Sequence, residues 1–185
     1  MNSGTAQTPV SEAEFLGLPE STAHNELIDG EVFTAPSPTL RHQEILRRIV
    51  TALGRWADDD QADQQRAVTV AQAPLDVRFG PGRILQPDAM VFLARLPDDS
   101  PTPIDRIPEL CIEVVSANRA YDRVTKRLVY AEAGVQEYWL VDGVADNVEV
   151  RTGQLLGGAH SAATTLASAL LPGFALDLQV LFARR

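Results

Sequence analysis

Two acidic residues stand in stretches whose composition predicts buried strands. Glu113 lies in the middle of the nearly all-apolar run Leu110–Val115, and Asp88 follows Pro87 at the start of another apolar run. A buried carboxylate is costly unless it is paired, hydrogen-bonded or bound to a metal. On neighbouring strands the two carboxylates could share one Mg²⁺, which prefers one or two carboxylates together with water and phosphate oxygens. Taken singly, Glu113 could pair with an arginine or lie at a sheet edge, and Asp88 could bond its own backbone.

Lys126 is a candidate for the cation that such a site requires. It is the only lysine among 16 basic residues, and it follows the Glu113 strand on a predicted helix over 121–133 that ends at Gly134. A metal that activates water for attack on a phosphodiester is usually accompanied by a positive group near the phosphate or the water. A lone lysine on a helix is otherwise most often solvated.

The predicted helix over 121–133 has two apolar faces. The stronger is a stripe at helical spacing, formed by Val124, Leu128 and Ala131. Lys126 lies roughly opposite this stripe, on a weaker face with Val129, Tyr130 and Ala133. The spacing leaves open which face covers the sheet.

Four other polar residues could support the site. Glu31 follows an Asp-Gly turn and either adds a third carboxylate to the metal or is an exposed hairpin charge. His42, one turn into the first long helix, is either a core or capping histidine or a residue that reaches the site. Gln86 and Ser116 are weaker candidates, as donors next to the acidic residues.

Arginines are the expected contacts to a nucleic-acid backbone. The cluster nearest Lys126 consists of Arg119, Arg123 and Arg127. Its alternative interpretation is a solvated helix face balanced by Asp122 and Glu132. A second set lines the first long helix: Arg41, Arg47, Arg48 and Arg55.

Composition bounds the class of protein. The 185 residues suit one domain, 1–185, with residues 1–10 as a loose tail. The net charge of −9 argues against a general duplex-DNA binder and predicts weak, salt-sensitive binding. The single cysteine, Cys111, excludes a disulfide framework, and no apolar run reaches the roughly 18 residues of a membrane span. The polar N-terminus has no secretory-signal pattern, so we expect a cytoplasmic protein without a membrane partner.

The order of elements predicts an α/β or α+β fold in which a mixed central sheet is flanked by helices. One helix, over 38–57, precedes the sheet and should end near the acidic run 58–60, with a solvated loop to 66. The second helix lies within the sheet order. Strands or hairpins are predicted over 26–33, 68–77, 85–93, 110–115, 136–141 and 147–151, and a turn followed by a strand or helix over 171–182.

The spacing of Pro87-Asp88, Glu113 and Lys126 resembles the PD-(D/E)XK nuclease superfamily, and the surrounding chain resembles one branch of it, the Uma-two family of restriction-endonuclease-like proteins. The segments that carry this resemblance cover most of residues 20–182. They are Glu26-Leu27-Ile28-Asp29-Gly30-Glu31, Ala35-Pro36-Ser37 with His42, Ile112-Glu113-Val114-Val115-Ser116, Asp122 with Lys126 and Tyr130, Gly134 to Asp142, and Leu171-Pro172-Gly173-Phe174.

The resemblance implies a restriction-endonuclease-like fold and metal-dependent hydrolysis of DNA phosphodiester bonds. Asp88 and Glu113 would hold Mg²⁺ or Mn²⁺, Lys126 would orient water or stabilise the transition state, and Tyr130 would support them. In the parent motif the lysine lies two residues after the second acid, where this chain has Val115. The lysine would therefore have moved to the following helix.

Two other functions compete with a DNA endonuclease. The displaced lysine and the acidic charge favour a non-catalytic interaction or assembly domain that keeps the nuclease fold. A hydrolase of another phosphoester, such as RNA or a nucleotide, would use the same acidic residues. Cutting both strands of a duplex would suit a symmetric homodimer.

Overall fold

The computed structural model describes residues 9–19, 24–64, 67–115 and 121–184. Its helices are α1 (Glu12–Leu16), α2 (Leu40–Gln64), α3 (Arg127–Ala133) and α4 (Leu178–Phe182), and a π-helical segment, Tyr121–Lys126, leads into α3. Its strands are β1 (His24–Ile28), β2 (Glu31–Ala35), β3 (Thr69–Gln72), β4 (Val77–Gly80), β5 (Arg83–Leu85), β6 (Ala89–Phe92), β7 (Leu110–Val114), β8 (Glu137–Asp142), β9 (Asn147–Thr152), β10 (Gly158–Ser161), β11 (Thr165–Ala167) and β12 (Ala175–Asp177). No helix among these residues is both long and apolar enough to cross a membrane.

A six-stranded mixed sheet, ordered β10-β9-β8-β7-β6-β3, forms the centre of the fold. β7 and β8 are its parallel pair, and the other neighbours are antiparallel. Both strands of the parallel pair are buried along their whole length, which suits their nearly continuous apolar sequences. Parallel neighbours need a crossover, and the π-helical segment with α3 supplies it. The predicted mixed α and β fold is confirmed.

A second sheet of four strands, ordered β2-β1-β5-β4, contains the predicted hairpin. Its turn is Asp29-Gly30, and both residues have positive φ, 51° and 89°. Two central residues with positive φ are what a two-residue hairpin turn requires. Val10, within the expected N-terminal tail, donates its amide to the Gly30 carbonyl at 2.8 Å, whereas residues 1–8 lie outside the described part.

Alternation along β7 divides the interior into two cores. Leu110, Ile112 and Val114 pack in the core that contains the apolar face of α2. Cys111 points the opposite way, into a core that includes Tyr130 and residues of β4 and β8. Glu113 has the same parity as Cys111, so its carboxylate lies on the α3 side of the sheet.

The structure corrects one predicted helix end. α2 continues to Gln64 rather than ending near residues 58–60, so residues 58–64 of the expected loop are helical. Acidic residues are unfavourable near the negative C-terminal end of the helix dipole, but this effect is confined to the last turn. That effect is also small, and the residues after the acidic run, Gln61-Ala62-Asp63-Gln64, include good helix formers.

Two predicted strands are shorter than expected, and each is interrupted before one of its ends. Of the run 68–77, residues 69–72 form β3, and only Val77 belongs to β4 in the other sheet. Of the run 85–93, residues 89–92 form β6, and only Leu85 belongs to β5 in the other sheet. Pro74 and Pro87 lie at the two breaks. Because proline lacks a backbone N–H, it cannot donate to a ladder and favours the end of a strand.

α3 and the π-helical segment turn their weaker apolar face to the interior. Val124 and Leu128, from the stronger stripe, are 52% and 44% exposed, whereas Val129 is 4% exposed and Tyr130 is fully buried. Lys126 is on the buried face. The sequence left open which apolar face covers the sheet, and in the structure it is the face that carries Lys126.

This orientation predicts a difference in stability between two neighbouring truncations. V129A should lower the free energy of unfolding by about 2 kcal/mol, because two buried methyl groups are lost. L128A should change it by about 0.5 kcal/mol or less, although leucine is the larger residue. Urea titrations followed by circular dichroism measure both, and a larger loss in L128A than in V129A would contradict the orientation.

Candidate active site

The two predicted acidic residues lie opposite each other on neighbouring strands. In the antiparallel ladder of β6 and β7, Ala89 pairs with Ile112, so Asp88 comes opposite Glu113 one step further on. The Val114 amide donates to Asp88 Oδ2 at 2.8 Å, which fixes this carboxylate against β7. The break between β5 and β6 therefore places Asp88 beside Glu113 at the end of β7.

His42 contacts the first of these acidic residues. Its Nε2 lies 3.0 Å from Asp88 Oδ2, and both side chains are mostly buried. The residue is in the first turn of α2, as the sequence predicts, and it reaches the site rather than only packing in the core. Asp88 is thus held from two directions, by the amide of β7 and by the imidazole of α2.

Lys126 is buried between two carboxylates. Its Nζ lies 2.9 Å from Glu113 Oε1 and 3.0 Å from Glu26 Oε1, and the residue is 4% exposed. Burial lowers the pKa of the amine, but the carboxylates of Glu113, Glu26 and Asp88 outweigh it and raise the pKa well above its usual value. Lys126 is therefore an ammonium ion at neutral pH.

Glu26 is the site residue that sequence reasoning missed. It lies on β1 and is 1% exposed, and its Oε1 also accepts the Gln86 amide at 2.9 Å. Burial raises the pKa of its carboxyl, but the Lys126 charge and neighbouring donors oppose this and lower the pKa to about 2. The signal was available, because Glu26 adjoins Leu27 and Ile28 in a predicted strand much as Glu113 adjoins apolar residues in its own.

Tyr130 also contacts Glu113. Its hydroxyl donates to Glu113 Oε1 at 2.6 Å, and its ring lies 4.8 Å from Phe79 and 5.5 Å from Tyr138, centroid to centroid. Burial, followed by the Glu113 charge, raises the pKa of this hydroxyl well above its usual value. The phenol therefore stays protonated and serves as a donor.

The remaining predicted residues are not all brought to this cluster. Glu31 is exposed at the first position of β2, opposite Ile28, and the carboxylate that meets Lys126 is Glu26 instead. Gln86 takes part through its backbone amide, while its side chain donates to Asp76 at 2.7 Å. Ser116 and Arg119 lie outside the described residues, as does the side chain of Arg123.

The arginines on α2 divide between two roles. Arg41 donates to the carbonyl of Phe182 at 2.9 Å, and Arg48 donates to the carbonyls of Leu181 and Ala183, both at 2.8 Å. These bonds hold the end of α4 against α2, since the last carbonyls of a helix have no partner within it. Arg47 pairs instead with Glu44 within the helix.

The number of possible protein ligands limits which metal the site could hold. The described residues contain no group of three or more His, Cys, Asp or Glu arranged to bind a metal. Structural zinc sites usually need four such ligands. Mg²⁺ needs only one or two carboxylates, because water and phosphate oxygens complete its octahedron. Asp88 and Glu113 fit this second pattern.

Acidic residues on neighbouring strands of a mixed sheet, with a buried lysine beside one of them, are the arrangement that the resemblance to restriction-endonuclease-like proteins implied. The Uma2 family model, described as "Putative restriction endonuclease", matches residues 12–179. The chain belongs to this family, as the sequence resemblance implied.

A solved structure shares the fold. The chain is similar to a "putative nuclease belonging to DUF820" from Anabaena variabilis ATCC 29413, with 24% sequence identity and a TM-score of 0.78. The alignment covers 95% of this chain and 98% of that one, so the likeness extends over the whole architecture. A comparison with curated proteins finds no match.

The contact between Tyr130 and Glu113 generates a prediction on stability. Y130F should lower the free energy of unfolding by about 1.5–3 kcal/mol, the range for a hydrogen bond to a charged group. Measured with E113Q in a double-mutant cycle, the pair should show coupling of at least about 1 kcal/mol. Additive losses from the two substitutions would show that the hydroxyl does not stabilise the carboxylate.

Proposed function

We propose that the protein is a metal-dependent endonuclease that hydrolyses phosphodiester bonds of DNA. The observation that carries the proposal is the juxtaposition of Asp88 and Glu113 with the Lys126 ammonium at the end of β7. Membership of the Uma2 family supports a nuclease, and the roles of the individual residues are inferred from their geometry.

Asp88 and Glu113 would hold the metal, Mg²⁺ or Mn²⁺. When bound there, the metal would activate a water molecule and offset charge on the scissile phosphate. Local charge also favours a divalent cation, since Asp88, Glu113 and Glu26 set three carboxylates against the single ammonium of Lys126. His42 and the Val114 amide would keep Asp88 oriented towards Glu113.

Lys126 would act as a fixed positive charge and hydrogen-bond donor. Its ammonium can orient the attacking water or stabilise the negative charge that develops on the phosphate in the transition state. A helix-borne lysine can do this because burial and two carboxylates restrict its long side chain to one place. Tyr130 would restrict Glu113 in the same way.

DNA contact would come from basic residues near α3, with Arg127 the described member of the group that also includes Arg119 and Arg123. The net charge of −9 requires that binding rest on such local contacts, so affinity should be weak and should fall steeply with salt. Cleavage of both strands would be performed most simply by a homodimer.

Two observations favour a second candidate, a non-catalytic assembly domain. Lys126 is committed to two ion pairs, and the chain as a whole is acidic, neither of which a DNA enzyme requires. Such a domain would keep the cluster as a structural ion-pair network. Cleavage that depends on both metal and Asp88 separates the two functions.

Nicking of supercoiled plasmid at low salt provides the test. Wild-type protein should nick with Mg²⁺ or Mn²⁺ and not with EDTA, and D88N should lose at least about 100-fold in rate because one carboxylate ligand is removed. E137Q is the matched control, since Glu137 is a buried acid on β8 whose carboxylate contacts Trp139 and Ser168.

The outcomes separate the candidates. Equal rates in wild type and D88N would show that the nicking does not depend on Asp88 and would contradict the proposed site. Absence of nicking, together with no metal binding in calorimetry, would favour the assembly domain. Metal-dependent cleavage of RNA but not of DNA would assign the same site to another phosphoester.

Salt dependence tests the proposed DNA contact. R127A should weaken binding of a DNA duplex and reduce the slope of log K against log salt concentration by about 1, the value for one lost phosphate contact. Fluorescence anisotropy between about 20 and 200 mM salt measures this slope. R106A is the control, because Arg106 pairs with Glu109 near the other end of β7 and should leave the slope unchanged.

A further inference from the structure

We propose that Glu26 is a positioning residue that holds the Lys126 ammonium in its working place beside Glu113. The proposal rests on the proposed function, since Lys126 matters to the reaction only if the protein is a nuclease. It accounts for the displaced lysine. A lysine on a helix lies outside the sheet, so its backbone is not held next to the acidic residues by strand pairing. Its side chain therefore needs a further contact to stay beside them.

The contacts of Glu26 join the lysine to the acidic segment. Its Oε1 lies 3.0 Å from Lys126 Nζ and accepts the Gln86 amide at 2.9 Å. Gln86 is two residues before Asp88, in the short link between β5 and β6. One carboxylate oxygen therefore fixes the ammonium relative to the segment that carries Asp88. His24 Nε2 lies 3.7 Å from the same oxygen.

The backbone that carries Glu26 is itself held on two sides. β1 pairs with β2, where Glu26 lies opposite Phe33, and with β5, where Leu27 lies opposite Ile84. Leu27 and Ile84 are fully buried and pack with Phe15 of α1. A charge placed on a paired, packed strand is fixed before substrate arrives, which is the condition for effective electrostatic positioning.

Glu26 and Glu113 differ in what else they must do. Glu113 Oε1 serves Lys126 and Tyr130, and in the proposed site this carboxylate also holds the metal. Glu26 has no assigned metal role, so its ion pair with Lys126 can persist when Glu113 engages a metal. Glu26 therefore acts through the lysine and is distinct from the metal ligands.

The variant E26Q tests this role with little change of shape. Its amide oxygen can still accept the Gln86 amide, but the negative charge that holds Lys126 is lost. The single-turnover cleavage rate should fall about 10- to 100-fold, as is typical when a group supporting a site residue is removed. The dissociation constant for DNA should change less than about twofold, because phosphate contacts are untouched. E137Q should keep the wild-type rate, because Glu137 is a buried acid whose carboxylate contacts Trp139 and Ser168.

A second measurement reads the lysine directly and needs no activity. Lys126 is the only lysine of the chain, so lysine labelled at Cε and Nζ yields one side-chain NMR signal. E26Q should shift this signal and speed exchange of the ammonium protons with water, whereas E137Q should leave both unchanged. A purely structural role for Glu26 would lower stability without this selective change.

The outcomes distinguish the two proposals. If wild type does not cleave nucleic acid, the nuclease proposal fails, and the lysine signal still decides whether Glu26 holds the ammonium. If wild type cleaves and E26Q matches its rate, or the signal in E26Q is unchanged, the role of Glu26 is refuted. Should E26Q fail to fold, E26D replaces it, because its carboxylate keeps the charge but ends one methylene short of Lys126. A wild-type rate and signal in E26D would then refute the proposal.

Discussion

The burial of one ammonium ion constrains the rest of this structure. Removing an ammonium and a carboxylate from water costs several kcal/mol for each ion, and their attraction compensates only when the geometry is good and further hydrogen bonds are made. Lys126 meets that condition with Glu113 on the central sheet and Glu26 on the second sheet. The two sheets and α3 are therefore tied at one point, and none of the three groups can move without exposing a buried charge.

The buried ion pairs of Lys126 are linked to the break between β5 and β6. Pro87 ends the ladder of β5, and the freed Gln86 amide is satisfied by Glu26. The chain then enters β6 with Asp88 opposite Glu113. A continuous strand through this region would leave the Gln86 amide to a neighbouring strand and would not present the Asp88 carboxylate at the end of β7. The interruption and the ion pair thus support each other.

Charge is distributed unevenly over the rest of the molecule. Several arginines are used within the fold. Arg41 and Arg48 bind carbonyls at the end of α4, while Arg83 bridges Asp29 of the hairpin turn and Glu132 of α3. Basic residues engaged in this way contribute little to recognition of a polyanion. Under the proposed function, a nucleic-acid substrate would therefore be held chiefly by groups near α3 and by a metal at the locally acidic cluster.

Much of the fold and part of the site were predictable from local patterns. Period-two alternation correctly divided the residues of β7 between two faces, and it identified Glu113 as a carboxylate among buried neighbours. The Asp-Gly turn located the hairpin, and Gly134 ended the helix with a φ of 91°. Such features depend on a few consecutive residues. The end of β3 at Gln72 and the start of β4, in the other sheet, at Val77 were not predicted, because an apolar run alone does not determine which strand it pairs with.

The sequence by itself determined the residue types of the candidate site and their order, Asp88, Glu113 and Lys126, together with the elements that carry them. Only the tertiary structure decided that the weaker apolar face of α3 is buried, and that Glu26 rather than Glu31 meets the lysine. Both choices depend on contacts between segments remote in sequence, since β1 reaches Lys126 from the opposite half of the chain. Local periodicity assigns a side chain to a face, but the partner across that face is fixed by how the sheets pack and by the need to neutralise a buried charge.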